Sequence, residues 1–185
     1  MNRFLTAAVG LPVLAAGTAL LCGCASVTPA AYRDPTPPLA LEQYFNGPLT
    51  ADGLVFNRAG KVVKRFHVDM VGRWSGDEGT LTEHFSYADG SKSERVWHLR
   101  RLPGADGKRR YEGSAADVVG TARGDAEGNA FNWHYTLALP VDGSTYRMQM
   151  DDWMYLMNDH VLLNKTEMRK FGIRFASIVI AFHKP

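Results

Sequence analysis

The chain has 185 residues, 45% of them hydrophobic and 22% charged, with 21 basic and 19 acidic side chains that leave a formal charge of +2. This composition excludes a disordered tail and a collagen-like chain, lacks the basic excess of a nucleic-acid binder, and so implies no nucleic-acid partner. One domain is expected, because a core of roughly 150 residues buries ~70% of its unfolded surface without metal or disulfide staples.

The first 23 residues read as a secretion signal. Arg3 supplies the positive start, the stretch 4–21 is uncharged, and Gly10, Pro12 and Gly17 interrupt it, unlike a permanent membrane helix. Leu21-Cys22-Gly23-Cys24 resembles a bacterial lipoprotein box. Cys24 fits as the modified residue, since small Gly23 precedes it whereas bulky Leu21 precedes Cys22. The resemblance implies a diacylglyceryl group on Cys24 and a fatty acyl chain such as palmitate on the new N-terminus, and two or more chains anchor stably where one does not. Ala25 and Ser26 follow, without the Asp that resembles an inner-membrane retention signal, so an outer-membrane anchor facing the periplasm is expected. Removing 1–23 takes away Arg3, its one charged side chain, so the side-chain charge falls from +2 to +1. No cysteine follows Cys24, which excludes an internal disulfide, a thiolate metal site and a cysteine nucleophile in the folded part.

Residues 24–38, with Pro29, Pro35, Pro37 and Pro38, read as the lipidated cysteine and a flexible, polyproline-like tether. Residues 39–45, closed by Asn46 and Gly47, predict a short helix. From there to 185 the chain alternates turn clusters with runs rich in Val, Phe, Tyr, Trp and Thr. Many runs have a period of two, as antiparallel strands with one wet and one dry face do. The clearest places Phe131, Trp133, Tyr135, Leu137 and Leu139 on one face. Phe66, Val68 and Met70 form a second such set, Leu81, Phe85 and Tyr87 a third, Trp97 and Leu99 a fourth, and Tyr146, Met148 and Met150 a fifth.

Segments near 53–57, 61–74, 79–87, 91–102, 109–119, 129–140, 144–157, 160–170 and 173–183 give about nine strands, with the glycine-rich stretch 120–128 read as turns. A meander of that size exposes edges unless it closes, so residues 39–185 predict an all-β, antiparallel up-and-down barrel of the lipocalin or calycin sort; a β-sandwich is the alternative. His134, Arg147 and Lys64, taken as outward-facing, argue against a wall bathed in lipid.

Several stretches together resemble a family of proteobacterial lipoproteins classed as a domain of unknown function. They are Gly53-Leu-Val-Phe56, Phe66-His-Val-Asp-Met-Val-Gly-Arg-Trp74, Glu83-His-Phe-Ser-Tyr-Ala-Asp-Gly90, Arg95-Val-Trp97, Asp117-Val-Val-Gly120, Gly128-Asn-Ala130, Asp151-Asp-Trp-Met-Tyr-Leu156 and Asn164-Lys-Thr-Glu-Met-Arg-Lys-Phe-Gly172. The resemblance implies a lipid-anchored, lipocalin-like domain and carries no catalytic residues with it.

Charges at inward-phase positions mark the candidate site. Glu83 lies between Leu81 and Phe85, Arg95 two residues before Trp97, and Asp152 between Met150 and Met154. An isolated buried charge costs several kcal/mol, so these groups need partners or a ligand. Two readings follow. One is a polar cluster gripping an amphiphile in a pocket of Tyr87, Trp97, Trp133 and Tyr135; the other is a structural ion pair between Arg95 and the carboxylates. Asp151 and Asp152, adjacent on a strand, point to opposite faces and do not form a catalytic pair.

The six histidines show no metal-ligand spacing, and no serine sits in a nucleophile elbow, so no metal, cofactor or catalytic residue is assigned. Arg100 and Arg101 with Lys108, Arg109 and Arg110 flank one loop as a basic knob, either a solvated hairpin tip or a site of attraction to anionic lipid. The function expected is a lipoprotein that binds or carries a fatty-acyl or lipid-like molecule in its barrel. The alternatives are an envelope scaffold with a filled barrel and a lipid-modifying enzyme using His67 and Asp69.

Overall fold

The computed structural model describes residues 26–104 and 108–185; residues 1–23, expected to be a secretion signal, and Cys24 lie outside them. A four-residue helix, α1 (Leu41–Tyr44), leads into ten antiparallel strands among the described residues. These are β1 (Gly47–Asn57), β2 (Val62–Ser75), β3 (Glu78–Tyr87), β4 (Lys92–Leu102), β5 (Arg109–Ser114), β6 (Val118–Glu127), β7 (Ala130–Val141), β8 (Ser144–Leu156), β9 (Val161–Lys170) and β10 (Ile173–His183). Each strand pairs with the next, and β1 pairs with β10 from Thr50 opposite His183 to Asn57 opposite Ala176, closing the barrel. Closure leaves no unpaired edge. The fold is therefore the all-β, lipocalin-like barrel that the alternation predicts.

Period-two burial sets the wall. Val68, Met70, Leu81, Trp97, Leu99, Phe131, Trp133, Met148 and Met150 all turn inward and are buried. Tyr146 departs from the expectation: it shares the phase of Met148 and Met150 but lies at the strand start, beyond the packed interior, and is exposed. Lys64 also departs. It lies on the inward phase of β2, lines the barrel mouth, and sets its ammonium 4.0 Å from the centre of the Tyr87 ring.

The tenth strand is β6, which runs through the stretch expected to be turns. Its inward positions, Ala122, Gly124 and Ala126, are small because large rings from β7 lie over them, with Gly124 opposite Trp133 and Ala126 opposite Phe131. A Cβ on Gly124 would sit 2.2 Å from the Asn132 carbonyl oxygen and 2.7 Å from the Trp133 ring. Gly120, at a positive φ of 74° within the irregular pairing between Val119 and Arg123, lets the strand bend. Glycine here means close approach. β1 likewise begins at Gly47, earlier than expected, because its pairing with β2 starts at Gly72.

α1 is shorter than the span 39–45 and closes one end of the barrel. Leu39, Leu41, Tyr44 and Phe45 are all buried, and full burial of an apolar side chain is worth roughly 1.5–3 kcal/mol. Phe45 packs edge-on against Phe182 at 5.6 Å. The Phe45 carbonyl seats where a Cβ on Gly72 would lie, 1.7 Å away, so the helix end docks only over glycine. The Tyr44 hydroxyl donates to the carbonyls of Phe182 (3.2 Å) and His160 (3.3 Å), and burial pushes it up to about 12. Tyr111 accepts from the Leu41 amide (3.3 Å) and donates to Glu42 (2.7 Å).

Part of the basic knob fastens the same floor. Arg101 bridges Glu42 (2.8 Å) and Asp77 (2.6 Å), while Arg100 pairs with Glu112.

The tether expectation needs correction from Pro29 onward. Pro29–Tyr32 forms a 3-10 turn, and Tyr32 packs edge-on against Trp153 (5.9 Å) and Tyr155 (5.3 Å) on the outer wall. Arg33 reaches the buried Glu127 at 3.1 Å, and the Leu39 amide donates to the Gly128 carbonyl at 2.8 Å. Proline content sets stiffness, but one large ring and one charge with partners on the wall are enough to dock the segment.

Candidate ligand-binding cavity

Between the α1 floor and the opposite barrel end lies a cavity of about 800 Å³. Leu41 and Phe45 line its closed end, while exposed Val63, Lys64, Ser93, Glu94 and Pro140 line its mouth. Its walls are mostly apolar. Phe66, Phe85, Phe131, Ile180 and the two indoles of Trp97 and Trp133 supply much of the surface.

All seven residues singled out from the sequence, Glu83, Tyr87, Arg95, Trp97, Trp133, Tyr135 and Asp152, reach this cavity wall. Register explains how. Glu83 stands directly opposite Arg95 across β3 and β4, and Trp133 directly opposite Asp152 across β7 and β8. β5 ends at Ser114, and the two halves meet through rings: Trp97 lies 5.9 Å from Trp133 and 5.4 Å from Tyr135, both edge-on. Trp133 has room because a Cβ on Gly113 would also press on its ring, at 3.2 Å. Tyr87 sits nearer the mouth, stacked with Phe85 at 6.0 Å and in hydrogen-bond contact with Ser93 at 3.1 Å.

One group at the cluster was not among those seven. Asp117, in the short connection between β5 and β6, accepts from Arg95 Nε (3.0 and 3.1 Å) and Nη2 (2.7 Å). Glu83 Oε2 lies 3.8 Å from Arg95 Nη1, an ion pair without a hydrogen bond. That oxygen is buried and has no hydrogen-bond partner. The structural ion pair and the polar cluster thus coexist, with Arg95 gripped by Asp117 and Glu83 left partly unsatisfied. Asp117 belongs to a stretch noted in the sequence, but a turn residue carries no face periodicity that would aim it at Arg95.

Electrostatics follow burial. Desolvation pushes the Glu83 carboxyl up to about 7; Arg95 opposes the rise, and Asp117 and Asp152 add to it. Burial also raises Asp152, against hydrogen bonds from Thr166, Tyr135 and Asn164 that favour its ionised form. Tyr135 is held well above the ordinary phenol value by burial and by the charge of Asp152. For Arg95, burial pulls downward, but Glu83 and Asp117 more than offset it and keep the guanidinium charged. Polar support for Asp152 comes from β9, where Thr166 donates to its carboxylate and stands opposite it in register.

The remaining candidates lie elsewhere. Asp151 faces outward, bonded to Asn132 at 2.8 Å, so the two adjacent aspartates are separated by the wall. His67 is on the outer wall as well, 2.9 Å from Asp52 and 3.6 Å from Asp69. The hydrogen bond to Asp52 raises its pKa, and His67 does not line the barrel cavity.

The chain belongs to the family described as "Protein of unknown function (DUF3833)", which it matches over residues 18–184. No curated protein matches it. Among solved structures it is similar to the S-type phycobiliprotein lyase CPES from Guillardia theta, at 8% sequence identity and a TM-score of 0.59, covering 80% of this chain and 93% of that one. At that identity the likeness is one of fold, a lipocalin-like barrel.

Proposed function

We propose that this member of the DUF3833 family is a lipid-anchored lipoprotein of the outer membrane, facing the periplasm, whose barrel binds or carries a fatty-acyl or other lipid-like molecule. The observation that carries the binding reading is the cavity: about 800 Å³, apolar along most of its wall, floored at one end and reached from the other. Ligand sites of ~300–1,000 Å³ combine such walls with a few convergent polar groups, here Glu83, Arg95, Tyr135 and Asp152. A scaffold packed solid by its own rings does not fit that volume. An enzyme built on His67 and Asp69 has its pair on the outside, away from the cavity. The anchor rests on Leu21-Cys22-Gly23-Cys24 and the Ala25-Ser26 that follows.

Native mass spectrometry of protein purified from its host is expected to show a small-molecule adduct that disappears on denaturation. A ligand-free mass together with no response to fluorescent fatty-acyl probes would sink the binding reading. Intact mass of the mature chain tests the anchor separately. Acylation at Cys24 is expected, and a Cys24→Ser chain should leave the membrane fraction; an unacylated native chain refutes the anchor alone.

A further inference from the structure

We propose that the polar group of the bound molecule is a hydrogen-bond donor, a hydroxyl or an amine, seated on Glu83 and Asp152, and that the cavity disfavours the free carboxylate of a fatty acid. This rests on the reading of the barrel as a lipid-like binder and narrows its ligand.

The natural seat for a carboxylate would be Arg95, but its bidentate Nε–Nη2 edge is already occupied by Asp117. Nη1 faces Glu83. The titratable and charged groups facing Glu83 are Arg95 from β4, Asp117 from the β5–β6 connection, Tyr135 from β7 and Asp152 from β8, and the Trp97 indole of β4 also lies against its carboxyl. Three carboxyl groups thus surround one guanidinium, and an incoming carboxylate adds a like charge in a poorly hydrated site.

The lining's other cation, Lys64, lies at the mouth over the Tyr87 ring, with Glu94 also at the rim. Meanwhile Glu83 Oε2 is a buried acceptor without a donor. A carboxylate accepts at about four lone-pair positions, so Asp152, with bonds from Thr166, Tyr135 and Asn164, retains room for about one further donor. Such acceptors are satisfied by N–H or O–H, and a further acceptor leaves the desolvation cost in place.

The test uses the full chain and compares dodecanol, dodecylamine and dodecanoate as competitors of diphenylhexatriene, a fluorescent hydrocarbon without a polar head. On the basic side of the Glu83 transition, the alcohol and the amine should each bind at least about tenfold tighter than the carboxylate. If both do so, hydrogen bonding suffices; if the amine far exceeds the alcohol, an ionised Glu83 acts as counter-ion, and either result supports a donor. Lowering the pH through about 7, where Glu83 takes up its proton, should weaken the amine and improve the carboxylate.

Glu83→Gln should remove that pH response and narrow the gap about tenfold, and Asp152→Asn should narrow it in a second, independent variant; circular dichroism and retained diphenylhexatriene binding certify both folds. The proposal is overturned if dodecanoate equals or exceeds the other two while the headless probe still enters, or if the preference survives unchanged in both variants. If the headless probe and all three competitors stay out, the binding reading itself falls, and this inference with it.

Discussion

In the unfolded chain the Glu83 carboxyl loses its proton near the ordinary value of 4.5, whereas in the barrel it holds the proton up to about 7. Between those values the folded state binds the extra proton. This contribution to stability is therefore fully present below the unfolded value and is lost as the pH rises through the folded one. A shift of that size corresponds to ~3 kcal/mol. Urea unfolding across roughly pH 4 to 8 should show wild-type stability falling by about that amount from this group, and Glu83→Gln should flatten most of the slope. Asp152, raised in the same direction, adds to the slope and keeps its own share in that variant. An unchanged slope in Glu83→Gln would show that the folded barrel ionises Glu83 as readily as water does. The same carboxyl thus reduces stability at neutral pH while presenting an acceptor inside an apolar cavity, a cost that a ligand donor would offset.

A strand can be specified by what it lacks as firmly as by its large residues. β6 places Ala122, Gly124 and Ala126 inward under the rings of Phe131 and Trp133, and the Asn132 carbonyl oxygen stands 2.2 Å from where a Gly124 Cβ would be. A backbone carbonyl within a strand ladder cannot give way as a side-chain tip does. Gly124→Val should therefore cost about 1–3 kcal/mol or more, despite the high strand propensity of valine. Thermal or urea unfolding checks this, with an exposed change on the same strand, Val119→Thr, expected to stay within about 0.5 kcal/mol. Equal effects of the two would mean that β6 does not lie beneath Trp133. α1 follows the same logic, since four helical residues have little intrinsic stability and depend on burial of Leu41 and Phe45 and on the seat at Gly72.

At the scale of the molecule, closure through β1 and β10 leaves an interior held open by its wall and sealed on one side by α1. Anything that binds this folded interior and not the unfolded chain stabilises it by mass action. At one hundred times its Kd a cavity ligand should add ~2.7 kcal/mol, which for a domain of this size raises Tm by about 5–10 °C. Differential scanning calorimetry with dodecanol checks this, and Trp133→Ala should weaken the response by enlarging the site and removing ring contacts. A shift that remains in full when the cavity is remodelled would place the ligand on the outer wall.

Much of this was legible along the chain because side-chain alternation is a local property. Phe131, Trp133 and Tyr135 declare a shared face, and Glu83, Arg95 and Asp152 stand out on such faces as charges in the wrong phase. β6 was hidden because its small residues resemble turn chemistry until the rings from β7 are laid over them. Asp117 was hidden because its partner lies 22 positions away on a different strand. The floor built by α1, the docking of Tyr32 and the open volume were decided only by tertiary structure. Each depends on which strands become neighbours when the sheet closes and on how much space their inward side chains leave, and no local period encodes that distance.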